Sequence, residues 1–192
     1  MKKIAICGGS FNPIHLGHIE FANNVSEYCD EVWMMPCKKH PLDKNLEDTR
    51  IRVTMVDDAV RYNGNPKVKI SLFEVNRDLS GTYDVLKALS VWDSRDEYCW
   101  AIGSDCANEI CKWKNYEQLI NEFQFIVVPR EGSEYTADWI KAPHILTNKP
   151  VKNISSTEIR SLLATDLNKA AKFLNPAILH YIKFHGFYGA KK

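Results

Sequence analysis

Residues 3–24 read KIAICGGSFNPIHLGHIEFANN. Lys3–Cys7 is a short apolar run of the length and composition of a buried strand, and Gly8-Gly9 ends it. Asn12-Pro13 marks a turn. Beyond it, Ile19, Ala22 and Val25 recur at helical spacing. A strand, a glycine loop and a helix in that order form the first half of a βαβ unit, so the fold depends on whether the pattern repeats.

It does repeat. EVWMMP (31–36) is a strand that proline stops, followed by the polar, basic stretch CKKHPLDKN (37–45). Residues 46–62 form an amphipathic helix with Ile51, Met55, Ala59 and Tyr62 at helical intervals and Asp48 as its N-cap. NGNPK (63–67) is a turn and VKISLFEV (68–75) a strand. TYDVLKALSVW (82–92) is helical, EYCWAIG (97–103) a strand, and SDCANEIC (104–111) starts a helix with Ser104 and Asp105 as capping candidates. FQFIVVPR (123–130) is a strand closed by proline, and HILT (144–147) a short one. SSTEIRSLLA (155–164) opens a helix with a capping box from Ser155 to Glu158. Residues 168–186 read as two short helices broken near Pro176. The alternation predicts an α/β fold: a Rossmann-like open parallel sheet with helices on both faces. In such sheets ligands bind at the carboxyl ends of strands, which directs attention to the loop after the first strand.

A chain of 192 residues with no repeat or linker suits one domain over 1–192, with the helices from about residue 155 packed on it. Its net charge of +1 gives no general polyanion surface and so no nucleic-acid partner. The apolar runs are too short for a membrane span, and the four-residue run in MKKIAICGG is too short for a signal peptide. A soluble, cytoplasmic protein is expected, and a homo-oligomer stays open. Cys7, Cys29, Cys37, Cys99, Cys106 and Cys111 form no C-x-x-C pair, which favours thiols in a reducing cytosol over a disulfide framework. Cys106/Cys111 lacks a second Cys/His pair at zinc-like spacing, so no metal ligands are assigned.

His15 and His18 pose three options: metal ligands, an acid/base pair, or donors to an anion. Zincin-like ligation wants histidines at i and i+4 on a formed helix with a third ligand elsewhere, and these two are three apart, so a metal site fits poorly. The loop lacks the G-K-[ST] ending of a P-loop and the G-x-G-x-x-G of dinucleotide folds. Gly8 and Gly9 instead let a phosphate approach the backbone. The helix start beyond them offers N–H donors and partial positive charge. A second helix start, ISSTEIR (154–160), brings hydroxyls and the planar fork of Arg160. Two such starts in one α/β domain suggest a nucleoside triphosphate held from both sides.

GGSFNPIHLGH together with ISSTEIR resembles the H-x-G-H nucleotidylyltransferase superfamily. Within it the chain is most similar to nicotinate/nicotinamide mononucleotide adenylyltransferases. EVNRDLSGTYDVL (74–86), WAIGSDCANEICKWKNYEQL (100–119) and FIVVPREG (125–132) carry that narrower likeness. In two places the chain departs from the family: Gly81 stands at the usual tyrosine of an S-Y-T element, and CKKHPLDK replaces P-P-H-K. The resemblance implies transfer of AMP from ATP to a pyridine mononucleotide with release of pyrophosphate. The acceptor phosphate attacks in line, without a covalent intermediate, because the nucleophile is already an anion.

The resemblance also implies roles. His15, His18 and Arg160 are the catalytic candidates. Gly8, Gly9, Ser10, Phe11 and Gly17 would lie along ATP, while Ile154, Ser155, Ser156 and Thr157 would grip its β- and γ-phosphates with Arg160. Ile102, Gly103 and Asp105 would border adenosine, and Arg130 the adenine or phosphates. Lys39, His40, Lys44, Thr82, Trp113 and Tyr116 are the acceptor candidates, Trp113 as a platform for the electron-poor pyridine ring. Mg²⁺ would ride on the ATP phosphates. Phosphopantetheine adenylyltransferase is the nearest alternative, and a nucleotide sensor without turnover is the alternative from another class.

Overall fold

The computed structural model of the protein describes residues 1–39 and 46–191. Six strands, β1 (Lys3–Gly9), β2 (Glu31–Pro36), β3 (Val68–Ile70), β4 (Glu97–Gly103), β5 (Phe125–Val128) and β6 (Ile145–Leu146), form one sheet in the order β3-β2-β1-β4-β5-β6. Every neighbouring pair is parallel. The chain winds outward from β1 to β3, returns, and winds outward again from β4 to β6. Strand order therefore reverses between β1 and β4, which makes the ends of these strands, at Gly9 and Gly103, the place where such sheets take ligands.

Strand side chains divide by parity into two cores. Ala5, Cys7, Cys99, Ala101, Ile126 and Val128 face one cluster, covered by α1 (Leu16–Val25), α2 (Thr49–Asn63), α6 (Ser156–Thr165) and α8 (Pro176–His185). Ile4, Ile6, Trp100, Ile102, Phe125 and Val127 face the other, with α3 (Thr82–Trp92), α4 (Ser104–Asn108) and α5 (Tyr116–Glu122). Burying both faces explains why these strands are apolar runs rather than alternating ones. The short α7 (Leu167–Ala170) precedes α8, whose first residue, Pro176, lacks the N–H that would go unpaired there.

Asp48 caps α2, its carboxylate accepting from the Arg50 N–H at 2.7 Å. Four local expectations are corrected. β3 ends at Ile70 rather than running to Val75, because the chain turns from Phe73 onward. Tyr62 is exposed, and the buried stripe of α2 is Arg52, Met55, Val56 and Ala59. Gly103, not Ser104 or Asp105, is the N-cap of α4 and caps it with no side chain. Ser155 caps α6 by accepting from the Thr157 N–H at 3.2 Å, without the reciprocal Glu158 bond of a capping box. Among the described residues no helix is long and apolar enough to cross a membrane.

Candidate active site

The loop between β1 and α1 is held almost entirely through its carbonyls. Gly9 O accepts from Cys37 N at 2.9 Å, Ser10 O from Arg52 Nη1 at 2.7 Å, Asn12 O from Arg160 Nη1 at 2.7 Å, and Pro13 O from Ser156 Oγ at 3.0 Å. The Asn12 side-chain oxygen accepts from the Tyr188 hydroxyl at 2.8 Å and from Glu47 N at 3.3 Å. An anion is repelled by carbonyl dipoles, and here four of those dipoles are engaged by other segments. Phe11 is 4 % exposed and sits at φ +46°, a conformation non-glycine residues seldom adopt. Its ring lies edge-on to His18 with 5.0 Å between centroids.

The two expected phosphate motifs are thus in direct contact. Arg160 spans Asn12 O and Thr157 Oγ1, the latter at 3.1 Å from Nη2. Ser156 commits its one proton to Pro13 O, so in this arrangement its hydroxyl tethers the first loop instead of offering a donor to phosphate. Gly17 lets the motifs close: a Cβ there would meet the His15 ring at 3.2 Å and Ile154 Cδ1 at 3.3 Å.

Two glycine roles change. At Gly8 a Cβ would overlap the Trp100 indole, closer to Cζ2 than real Cβ atoms come, and 2.5 Å from Cη2. The absent side chain admits Trp100, a need separate from the phosphate approach expected of this glycine. At Gly103 a Cβ would stand 2.5 Å from Asp105 Oδ1 and 2.9 Å from Arg130 Nε. Gly103 therefore makes room for the Asp105–Arg130 ion pair, 3.3 Å apart.

His15 is the N-cap residue of α1 and His18 its third residue. The rings stack with 3.6 Å between centroids, and His18 Nδ1 accepts from the His15 backbone N–H at 3.2 Å. Because Nδ1 accepts, a neutral His18 carries its proton on Nε2, leaving that N–H as a donor. Burial, reinforced by nearby Arg130, lowers His15 to about 3. Burial, then His15 and Arg130, pushes His18 well below the usual histidine range. Both rings are neutral near pH 7. The helix start itself is less open than expected: Leu16 N donates to Phe173 O at 2.9 Å and His18 N to His15 O at 2.9 Å. At the ends of β4 and β5, among the described residues, Asp105 Oδ1 and Arg130 Nε are buried with no hydrogen bond beyond facing each other as an ion pair. Polar atoms left so at a strand-order reversal suit a polar ligand.

On the other side, Ser104 is fully buried and its Oγ accepts from Arg130 N at 3.1 Å, fixing the end of β4 to the end of β5. Ile102 is buried in the core, so only its backbone can border a ligand. Thr82 opens α3 after Gly81, whose φ of +96° is favoured by glycine. That backbone need accounts for a glycine where the resembling family has tyrosine. Lys114 bonds Asp84 at 2.9 Å, joining the segment of Trp113 to α3. Trp113 packs on the second core and Tyr116 opens α5 with its hydroxyl on Glu117 at 3.2 Å. No ring contact joins Tyr116 to Trp113 among the described residues. Lys39 is exposed; His40 and Lys44 lie outside the described residues. Among the described residues no group of three or more His, Cys, Asp or Glu could hold a metal ion.

Arg52, Asn12 and Tyr188 were not singled out from sequence. Only Arg52 left a signal: an arginine on the same stripe as Met55, Val56 and Ala59.

The family described as cytidylyltransferase-like matches residues 6–162. A probable nicotinate-nucleotide adenylyltransferase of Bacillus pumilus is 34% identical, with 98% of this chain and 99% of that protein covered. The nicotinate-nucleotide adenylyltransferase of Bacillus subtilis is 32% identical at the same coverage. Among solved structures, Plasmodium falciparum nicotinic acid mononucleotide adenylyltransferase complexed with NaAD matches with a TM-score of 0.85 and 25% identity, covering 100% of this chain and 99% of that one.

Proposed function

Because the chain belongs to the cytidylyltransferase-like family and, within it, to the nicotinate-nucleotide adenylyltransferases, it is a nucleotidyltransferase, and we propose that it adenylylates nicotinate mononucleotide, using the residues gathered beyond β1 and β4. An oxygen of the acceptor phosphate forms a bond to the α-phosphorus of ATP as the bond to the β-phosphate oxygen breaks, and pyrophosphate leaves. No proton needs to be removed from the nucleophile. The protein's task is to hold two mutually repelling anions in line and to stabilise the charge that develops.

The observation that carries this reading is the His18 bond to the His15 backbone. It fixes a neutral imidazole with its Nε2–H as donor, a role suited to the α-phosphate. A neutral donor keeps its proton throughout, as a reaction without acid/base demand requires. Arg160 and the hydroxyls of Ser155 and Thr157 would take the β- and γ-phosphates. Arg130, whose Nε lacks a hydrogen bond, would turn part of its charge from Asp105 to the triphosphate. Trp113 and Thr82 would receive the pyridine ring and its carboxylate, with Lys39 and the basic stretch closing on phosphate. The acid is favoured over the amide because the relatives similar along the whole length carry that name.

Mg²⁺ would arrive on the triphosphate, whose oxygens suit it, and would lower there the charge that repels the nucleophile. The deciding experiment measures pyrophosphate release from ATP and Mg²⁺ with nicotinate mononucleotide, nicotinamide mononucleotide and phosphopantetheine in turn. Release with nicotinate mononucleotide well above the others is expected. No release with either pyridine nucleotide, under conditions where ATP binds, would sink the reading.

A further inference from the structure

Arg52 is 1 % exposed, on the core face of α2, where a leucine would avoid the several kcal/mol that burying a charge costs. Its guanidinium bonds neutral oxygens in three separate places. Nη1 reaches Ser10 O at 2.7 Å, in the loop after β1. Nη2 reaches Cys37 O at 2.9 Å, at the head of the basic stretch. Nε reaches Glu47 O at 3.0 Å, just ahead of α2, and Nη2 also Thr49 Oγ1 at 3.1 Å, in its first turn.

The Cys37–Lys38 peptide is approached from both sides. Arg52 takes its carbonyl, and its N–H works against the upward shift that burial gives the Glu74 carboxyl. Cys37 N donates to Gly9 O as well. The loop expected to receive ATP and the stretch expected to receive the acceptor's phosphate therefore share one buried cation as their common support. Five donors in a rigid fork can serve carbonyls in several directions at once, and a lysine ammonium on a flexible stem cannot reproduce that pattern.

We infer that Arg52 is a positioning residue that couples the two substrate sites, holding together the ATP loop at Ser10, the Cys37–Lys38 peptide that leads to the acceptor candidate Lys39, and Glu47 ahead of α2. The inference rests on the reaction proposed above for the identity of the two substrates, but not for the linkage of the two segments. Binding on one side then preorganises the other, and the coupling is reciprocal.

The first test uses the unaltered protein. A non-hydrolysable ATP analogue alone should slow amide hydrogen exchange at Cys37 and Lys38 at least about threefold, although those residues lie outside the loop expected to receive ATP. The second uses Arg52→Lys and Arg52→Met, each checked for folding by circular dichroism. Calorimetry gives the ratio of nicotinate mononucleotide affinities with and without the analogue. Either folded variant should lose about tenfold of that ratio, with exchange rising together at Ser10–Phe11 and at Cys37–Lys38. Its KM for the acceptor should rise more than kcat falls, and Arg52→Lys should recover only part. Unchanged exchange at Cys37–Lys38 on adding the analogue would overturn the inference, and so would a folded variant whose ratio stays within about twofold. Absence of turnover in the unaltered protein would overturn the reaction instead, leaving the exchange result to judge Arg52.

Discussion

Gly8→Ala tests the role that the tertiary structure assigns to the first glycine. The new methyl would lie inside the Trp100 indole, 2.5 Å from Cη2 where ordinary carbon contacts are about 3.5–4.0 Å. Relief requires a shift of roughly 1 Å by the ring or the strand, and neither is free. Trp100 is 5 % exposed on β4, and β1 is paired on both sides, Gly8 opposite Met35 and Ile6 opposite Trp100. Overpacking of this kind costs about 1–3 kcal/mol, and a rigid ring between fixed strands argues for the upper half. At roughly 2–4 °C per kcal/mol for a chain of this size, Tm should fall by about 4–12 °C. Urea unfolding of Gly8→Ala, Trp100→Leu and the double variant closes a cycle. The alanine should cost less once the indole is gone, with a coupling of at least about 1 kcal/mol. A Gly8→Ala protein within about 0.5 kcal/mol of the parent, or strictly additive effects, would refute the packing role. A variant of normal stability but weakened ATP-analogue binding would return the glycine to phosphate approach alone.

Burial raises Glu74 from 4.5 to about 7, against the opposing Lys38 N–H and Arg52. The folded protein thus holds an extra proton between those values, and stability falls as pH rises through that window, by on the order of 3 kcal/mol in total. Glu74→Gln should flatten this slope in urea midpoints taken from pH 4.5 to 8; parallel curves would show the carboxyl is not responsible. His15, lowered to about 3, and His18, lowered further below the usual range, act in the opposite sense: their stability is complete above pH 6.5 and is lost as pH falls. In NMR titration of the ligand-free protein neither ring should change charge between pH 5 and 8, and a midpoint near 6.5 for either would contradict the buried stack. His18→Ala should lower turnover by orders of magnitude with the fold intact, and near-normal turnover would remove its donor role. Arg160→Lys cannot span Asn12 O and Thr157 Oγ1 together, so kcat should drop at least about tenfold, and an unchanged kcat would show that the fork is dispensable.

Much of the architecture was legible because apolar periodicity and punctuation agree over most of the chain. The strands at Glu31–Pro36 and Glu97–Gly103 and the helix at Thr82–Trp92 have the bounds expected of them. β3 was read too long, since VKISLFEV is apolar enough for a strand throughout and nothing local announces the turn at Phe73. His15, His18, Gly17, Ile154 and Arg160 stand out as a group because their two short motifs resemble those of a known family, and the structure brings the two motifs together at Asn12 O and Pro13 O. What those residues do to each other was not legible. Ser156 spends its proton on Pro13 O, 143 positions away, and the pairing of Asp105 with Arg130 crosses from β4 to β5.

The sequence by itself determined the alternation of strands and helices, hence a parallel sheet with its first loop beyond the carboxyl ends of the strands. It also determined the two motifs that meet there, because local periodicity and residue chemistry are properties of neighbours in the chain. Only the tertiary structure decided that Gly8 yields to Trp100, that both histidines are neutral, and that Arg52 is the buried support of two loops. Each of these depends on volume exclusion, desolvation or a hydrogen bond between residues far apart in sequence, and such terms do not exist until the chain has folded.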